Sequence, residues 1–128
     1  MPTMTTQSVR VSVETMYQPH YSKPFNNEFV HAYRITIENF NDFPIQLLHR
    51  HWLIWDSNDM SRQIEGEGVV GKQPIIAASD SFQYVSACPL QTEMGNMRGH
   101  FLMKNVWLSE NFKVEIPVFE LIAQHKYN

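Results

Sequence analysis

Apolar and polar residues alternate with a period of two along most of the chain. Val9, Val11 and Val13 alternate with Arg10, Ser12 and Glu14, which predicts a first strand with one buried face. Phe29 to Asn39 repeats the pattern. Phe29, His31, Tyr33, Ile35 and Ile37 fall on one face, and Val30, Ala32, Arg34, Thr36 and Glu38 on the other. Ile45 to Asp56 is apolar on both sides, with Leu47, Leu53 and Trp55 opposed to Leu48, Trp52 and Ile54. Ser57-Asn58-Asp59 is a hairpin turn signal, and Arg62 to Val70 reads as the partner strand, with Pro74 ending the region.

Later segments continue in kind. Phe82 and Tyr84 alternate with Gln83 and Val85 after a Ser79-Asp80 turn, and Pro89 to Asn96 reads as a loop. Met97 to Val106 and Phe112 to Leu121 form a closing hairpin across Ser109-Glu110-Asn111. Pro117 lies inside its last strand, which predicts an edge position or a bulge because proline cannot donate to a ladder. The prolines of Gln18 to Pro24 and the cluster Asn39 to Asp42 mark further loops. No window carries a helical period. Seven to eight short antiparallel strands predict an all-β, immunoglobulin-like or fibronectin-III-like β-sandwich, with a closed barrel as the structural alternative.

Composition narrows the class. At 128 residues the chain predicts a single domain spanning 1–128 that buries roughly two-thirds of its unfolded surface. Hydrophobic residues make up 43% and charged residues 18%, the balance of a globular protein rather than a disordered one. The net charge of −3 argues against nonspecific nucleic-acid binding. Cys88 is the only cysteine, so no intramolecular disulfide forms and a reducing, cytoplasmic compartment is expected. No secretory pattern opens the sequence, and no apolar run reaches the roughly 20 residues of a membrane helix.

Several motifs together resemble the ApaG family. They are Q-L-L-H-R-H-W at Gln46 to Trp52, G-E-G-V-V-G-K-Q-P at Gly66 to Pro74, F-Q-Y at Phe82 to Tyr84, P-L-Q-T-E-M-G-N-M-R-G at Pro89 to Gly99, and F-K-V-E-I-P-V-F-E-L at Phe112 to Leu121. The resemblance covers nearly the whole chain. It implies a sandwich of the kind just predicted, a genetic link to cobalt tolerance and magnesium efflux, and related domains that serve as interaction modules. Departures are confined to loop edges: Ser79-Asp80 stands where many members have Pro-Gly, and Val85-Ser86-Ala87 where Thr-Ser-Gly is frequent.

Three sets of residues are candidates for chemistry. Gly66, Gly68 and Gly71 have the G-x-G-x-x-G spacing of a pyrophosphate cradle, and the family resemblance carries a suggestion of pyrophosphate binding there. A dinucleotide fingerprint opens a helix, whereas here β-branched residues and Pro74 block one. The competing structural reading is a strand whose bare face is covered by Trp52 or Trp55, followed by a bend at Gly71. Arg50 and Lys72 would be the anion contacts of a phosphate site, and Arg50 would otherwise pair with a carboxylate such as Glu67 or snorkel to solvent. His49 and His51 share a strand face and form a candidate metal pair, with His31, His100, Glu65 or Glu67 as a third ligand. The competing reading is two surface histidines.

No nucleophile constellation is visible, so no catalytic residues are assigned and an enzyme is not expected. Two functions compete. One is a protein-interaction or regulatory module, linked by the resemblance to Co²⁺/Mg²⁺ homeostasis, with an unknown partner or a homodimer through an edge strand. The other is a binder of a divalent metal or a nucleotide. No cofactor is assigned for certain, a divalent metal or a nucleotide being the candidates, and insertion into a membrane is not part of the expectation.

Overall fold

In a computed structural model of the protein, the described residues are 1–123, and residues 124–128 lie outside them. The chain forms β1 (Thr3–Thr6), β2 (Val9–Tyr17), β3 (Phe29–Asn39), β4 (Ile45–Asp56), β5 (Ser61–Glu67), β6 (Ile75–Ile76), β7 (Ser81–Leu90), β8 (Met94–Asn105) and β9 (Glu110–Ile122). Two antiparallel sheets result: one in the order β1-β2-β3-β7, the other in the order β5-β4-β8-β9 with β6 also on β4. This is the expected all-β sandwich, and the barrel alternative falls. β1 and β6 are short additions that carry too few apolar residues to be seen as strands in the sequence. The Pro89–Asn96 loop shrinks, because β7 and β8 run on through most of it and leave only residues 91–93 between them. The two prolines before β3 sit instead in two 3₁₀ turns, Pro19–Tyr21 and Pro24–Asn26.

The alternation on β3 becomes a face buried at Phe29, His31, Tyr33, Ile35, Ile37 and Asn39. β4 departs from strict alternation. Its register on β8 shifts between Leu47 and His49, a bulge at Leu48 that changes which parity faces inward. Ile45 and Leu47 are buried before it; Trp52 and Ile54 are buried after it. Leu47 and Trp52 therefore share the core, where the uninterrupted pattern had placed them on opposite faces. Pro117 is accommodated by both devices expected of it. β9 is an edge strand, and its register on β8 shifts between Met97 and Gly99.

Trp52 is the centre of the core. Its ring meets Tyr33 at 5.6 Å, Phe119 at 5.8 Å and Phe101 at 6.5 Å, each edge-on, the arrangement favoured by aromatic quadrupoles. The two flanks of the sandwich differ. On one flank β1 and β2 lie against β9, and the Glu115 amide donates to Thr6 Oγ1. On the other flank β7 and β5 are the free edges of their sheets. At one end Asp56, buried at the close of β4, accepts from the amides of Gln91 and Thr92 and from the Thr92 hydroxyl at 2.7 Å. That clamp ties β4 to the β7–β8 turn. Among the described residues no helix is long and apolar enough to cross a membrane.

Candidate functional site

The glycine-rich segment leaves the sheet within its own motif. β5 ends at Glu67, and Gly68 takes φ +62°. Val69 and Lys72 then exchange amide-to-carbonyl bonds of 2.8 and 2.9 Å across Val70 and Gly71. Both central residues have positive φ, 43° and 79°, the pattern of a type I′ hairpin turn. Gly71 thus makes the bend expected of it, through a positive φ. Gly68 is closed for a different reason: a Cβ there would lie 2.0 Å from the Lys72 carbonyl oxygen.

Gly66 answers to Arg50, not to a tryptophan. The two residues are cross-strand partners, and a Cβ on Gly66 would lie 2.8 Å from the guanidinium. Trp52 is paired with Ile64 instead and turns into the core. Arg50 Nη1 donates to the main-chain oxygens of Glu67 and Gly68, each at 3.0 Å. The carboxylate of Glu67, the expected partner, is not the group it uses. The loop therefore turns carbonyl oxygens toward Arg50. The amides of Gly68, Val69 and Lys72 are spent on Leu48 O, Lys72 O and Val69 O.

The imidazoles gather on the solvent-facing side of the second sheet. His49, His51, His100 and Glu65, with Arg50 and Leu102, line a depression of about 290 Å³. Register explains the gathering, because His51 lies opposite Glu65 on β5 and opposite His100 on β8. Glu115 on β9 continues the row beyond His100. His51 Nδ1 is 3.2 Å from Glu65 Oε1. The rings of His51 and His100 stack at 4.9 Å with 15° between their planes. His100 is held below the usual imidazole pKa by partial burial and by the nearby positive charges of Lys113 and His51. His31, another candidate ligand, is buried in the first sheet away from this row. Among the described residues no group of three or more His, Cys, Asp or Glu is placed to hold a metal ion.

A second cleft lies between the sheets on the open flank. It has a volume of about 200 Å³, with Tyr33 and residues 86–89 on one side and Arg50, Trp52, Arg62 and Ile64 on the other. Arg62 bridges the flank: its Nη2 donates to Pro89 O and lies 3.6 Å from Cys88 Sγ. Burial raises the Cys88 thiol pKa to about 11, with Arg62 opposing the rise, so the thiol is protonated at neutral pH. Burial also pushes up the Tyr33 phenol. The Trp52 indole nitrogen is buried without a hydrogen-bond partner. Arg62 was not a sequence candidate. The available signal was its parity, since it alternates in phase with Ile64 on the inward face of β5.

The ApaG domain model matches residues 19–105. The chain belongs to the ApaG family. ApaG proteins of Enterobacter sp. (strain 638) and Erwinia tasmaniensis are each 44% identical to it. The first match covers 88% of this chain and 90% of the relative, and the second covers 94% and 96%. The name Protein ApaG states no activity. A crystal structure of a Bordetella pertussis protein assigned as ApaA superposes with a TM-score of 0.87 at 35% identity, covering 98% of both chains. A second X-ray structure gives 0.85 at 33% identity over 94% of this chain and 96% of that one.

Proposed function

We propose that this ApaG-family chain is a non-enzymatic interaction module of the cytoplasm that binds a protein along the open flank of its sandwich. The observation that carries the reading is the edge of β7, ten residues long and, among the described residues, paired with β3 alone. A strand edge offers main-chain donors and acceptors to another strand. The cobalt and magnesium link implied by the family resemblance would be exercised through the bound protein. A photo-crosslinking side chain at Val85, exposed on β7, should give a defined adduct in cells, and one at Val118, exposed on β9, should not. Equal yields from the two positions, or no adduct from Val85, would sink the reading. An adduct with the chain itself identifies a homodimer through this edge.

The row of His49, His51, His100 and Glu65 supports a second reading, a divalent-cation binder, because register brings imidazoles and a carboxylate to one depression. Since His51 and His100 stack face to face, an ion there would have to splay the rings. Calorimetry with cobalt chloride on the protein and on His51→Ala and His100→Ala tests it, and a flat titration removes it. The same titration with ATP and with pyrophosphate tests an anion site at Arg50, Gly66, Gly68, Gly71 and Lys72.

A further inference from the structure

The unused main-chain groups of β7 can be assigned residue by residue. On β3, the Val30 amide is taken by Ser22 Oγ and its carbonyl by the Gln18 amide, so Val30 faces away from β7. At the other end, the Asn39 amide donates to Asp80 O. Antiparallel pairs alternate between bonded and non-bonded, so Ser81, Gln83, Val85, Ala87 and Pro89 turn their main-chain groups outward. The ends of this row are capped. The Ser81 amide donates to Asp80 Oδ1 at 2.8 Å, Pro89 has no amide hydrogen, and its carbonyl is held by Arg62. Among the described residues, Gln83, Val85 and Ala87 remain open in the middle, all exposed.

The cleft on this flank is lined, among the described residues, by two guanidiniums and no carboxylate. The ion pairs among the described residues are Arg10–Glu38, Arg34–Glu14 and His51–Glu65; Arg50 and Arg62 have none. Each is engaged through one terminal nitrogen, Arg50 with carbonyls and Arg62 with a carbonyl and a thiol. A guanidinium carries five N–H donors and favours carboxylates, often two-pronged. A strand added to β7 would lie roughly 4.8 Å beyond it. Its inward side chains would then hang over the inter-sheet cleft that Arg50, Arg62, Ile64 and the unpartnered Trp52 indole line.

We propose that the open flank is a strand-docking groove for an extended acidic segment of a partner protein. The segment pairs with Gln83, Val85 and Ala87 of β7 and sets carboxylate side chains against Arg50 and Arg62. The proposal rests on the interaction-module reading and adds the partner's chemistry. Its inward face carries aspartate or glutamate at alternate positions, because period-two spacing puts successive inward side chains over the cleft.

The test uses the full chain and two blocked octapeptides, one alternating glutamate with threonine and the other lysine with threonine. Amide shifts are followed by NMR, and affinity by fluorescence anisotropy. The glutamate peptide should shift the Gln83, Val85 and Ala87 amides and the Trp52 indole proton, and the lysine peptide should not. Arg62→Gln removes one cationic contact, and Ala87→Pro removes an outward amide hydrogen at an edge where proline is tolerated. Each should weaken binding about tenfold or more, with the unchanged remainder of the spectrum reporting an intact fold. Equal binding of both peptides overturns the acidic partner and leaves the module standing. Shifts elsewhere with β7 silent, or full affinity in Ala87→Pro, overturn the groove. A dimer in sedimentation velocity that Ala87→Pro dissolves replaces the acidic partner by a second copy. No binding of either peptide, together with no adduct from Val85, removes both the inference and the module.

Discussion

Acidification should strike this fold first at His31. The residue is 1% exposed on β3, between Tyr17 of β2 and Cys88 of β7. Its ring is tilted against Tyr17 at 5.2 Å, and Nε2 has no partner. Burial lowers its pKa from 6.5 to about 4, with Asp56 pulling weakly the other way. A folded pKa below the unfolded one means that the unfolded chain takes the proton first. The stability tied to neutral His31 is therefore whole above pH 6.5 and is lost as pH falls toward 4. A shift of about 2.5 units at about 1.4 kcal/mol each gives roughly 3.5 kcal/mol, a large share of the roughly 5–15 kcal/mol of a typical domain. Urea unfolding of the protein and of His31→Phe across pH 4–7 measures it. The stability difference between the two should move by about 3 kcal/mol over that range, in favour of the variant at low pH. Carboxylate titrations are common to both and cancel. Parallel pH profiles, or a folded-state NMR titration of His31 with its midpoint above pH 6, would refute the reasoning.

Other substitutions test local geometry. Asp56→Ala strands the Gln91 and Thr92 amides that it now satisfies, and urea unfolding should register a loss of about 3 kcal/mol. Gly68→Ala meets the Lys72 carbonyl at 2.0 Å, whereas a Cβ at Gly71 meets nothing within 4 Å. Thermal melts should show Gly68→Ala costing at least about 2 kcal/mol and Gly71→Ala about 1; the reverse order would contradict the turn geometry. Val70 is half-exposed and β-branched at φ 43°, so Val70→Asn, which makes the Asn-Gly pair favoured by type I′ turns, should stabilise by about 1 kcal/mol. An unchanged or lowered melting midpoint would count against strain at that position.

The alternation of Val9–Val13 and Phe29–Asn39 was enough to find β2 and β3, because each has one face in the core and one in solvent. β4 was found as a strand but not in its phase, since apolar residues on both sides conceal a bulge. The glycines were legible as turn formers at Gly71 and illegible at Gly66. What fills the space above Gly66 depends on register with Arg50, and register depends on where the β4–β5 turn closes. Non-local pairing also hid the imidazole row. His51 and His100 are adjacent only because β4 and β8 are neighbours, which no local pattern states. Arg62 was passed over for a similar reason, since an isolated arginine in a polar strand gains significance only when the opposite sheet supplies Pro89 and Cys88.

The bulge at Leu48 has a consequence for how sequences of this shape tolerate length change. β4 is two half-strands joined out of phase, one anchored by Ile45 and Leu47 beside Ile76 and the other by Trp52 and Ile54. Removing Leu48 would leave Leu47 and His49 opposite the consecutive residues Met103 and Leu102, so regular pleating would keep Ile45, Leu47, Trp52 and Ile54 all facing the core. Pairing Leu48 in a regular ladder instead would turn one half's apolar side chains into water. The bulge absorbs one residue that the pleat does not need, so this junction tolerates a one-residue deletion that would invert the faces anywhere else along the strand.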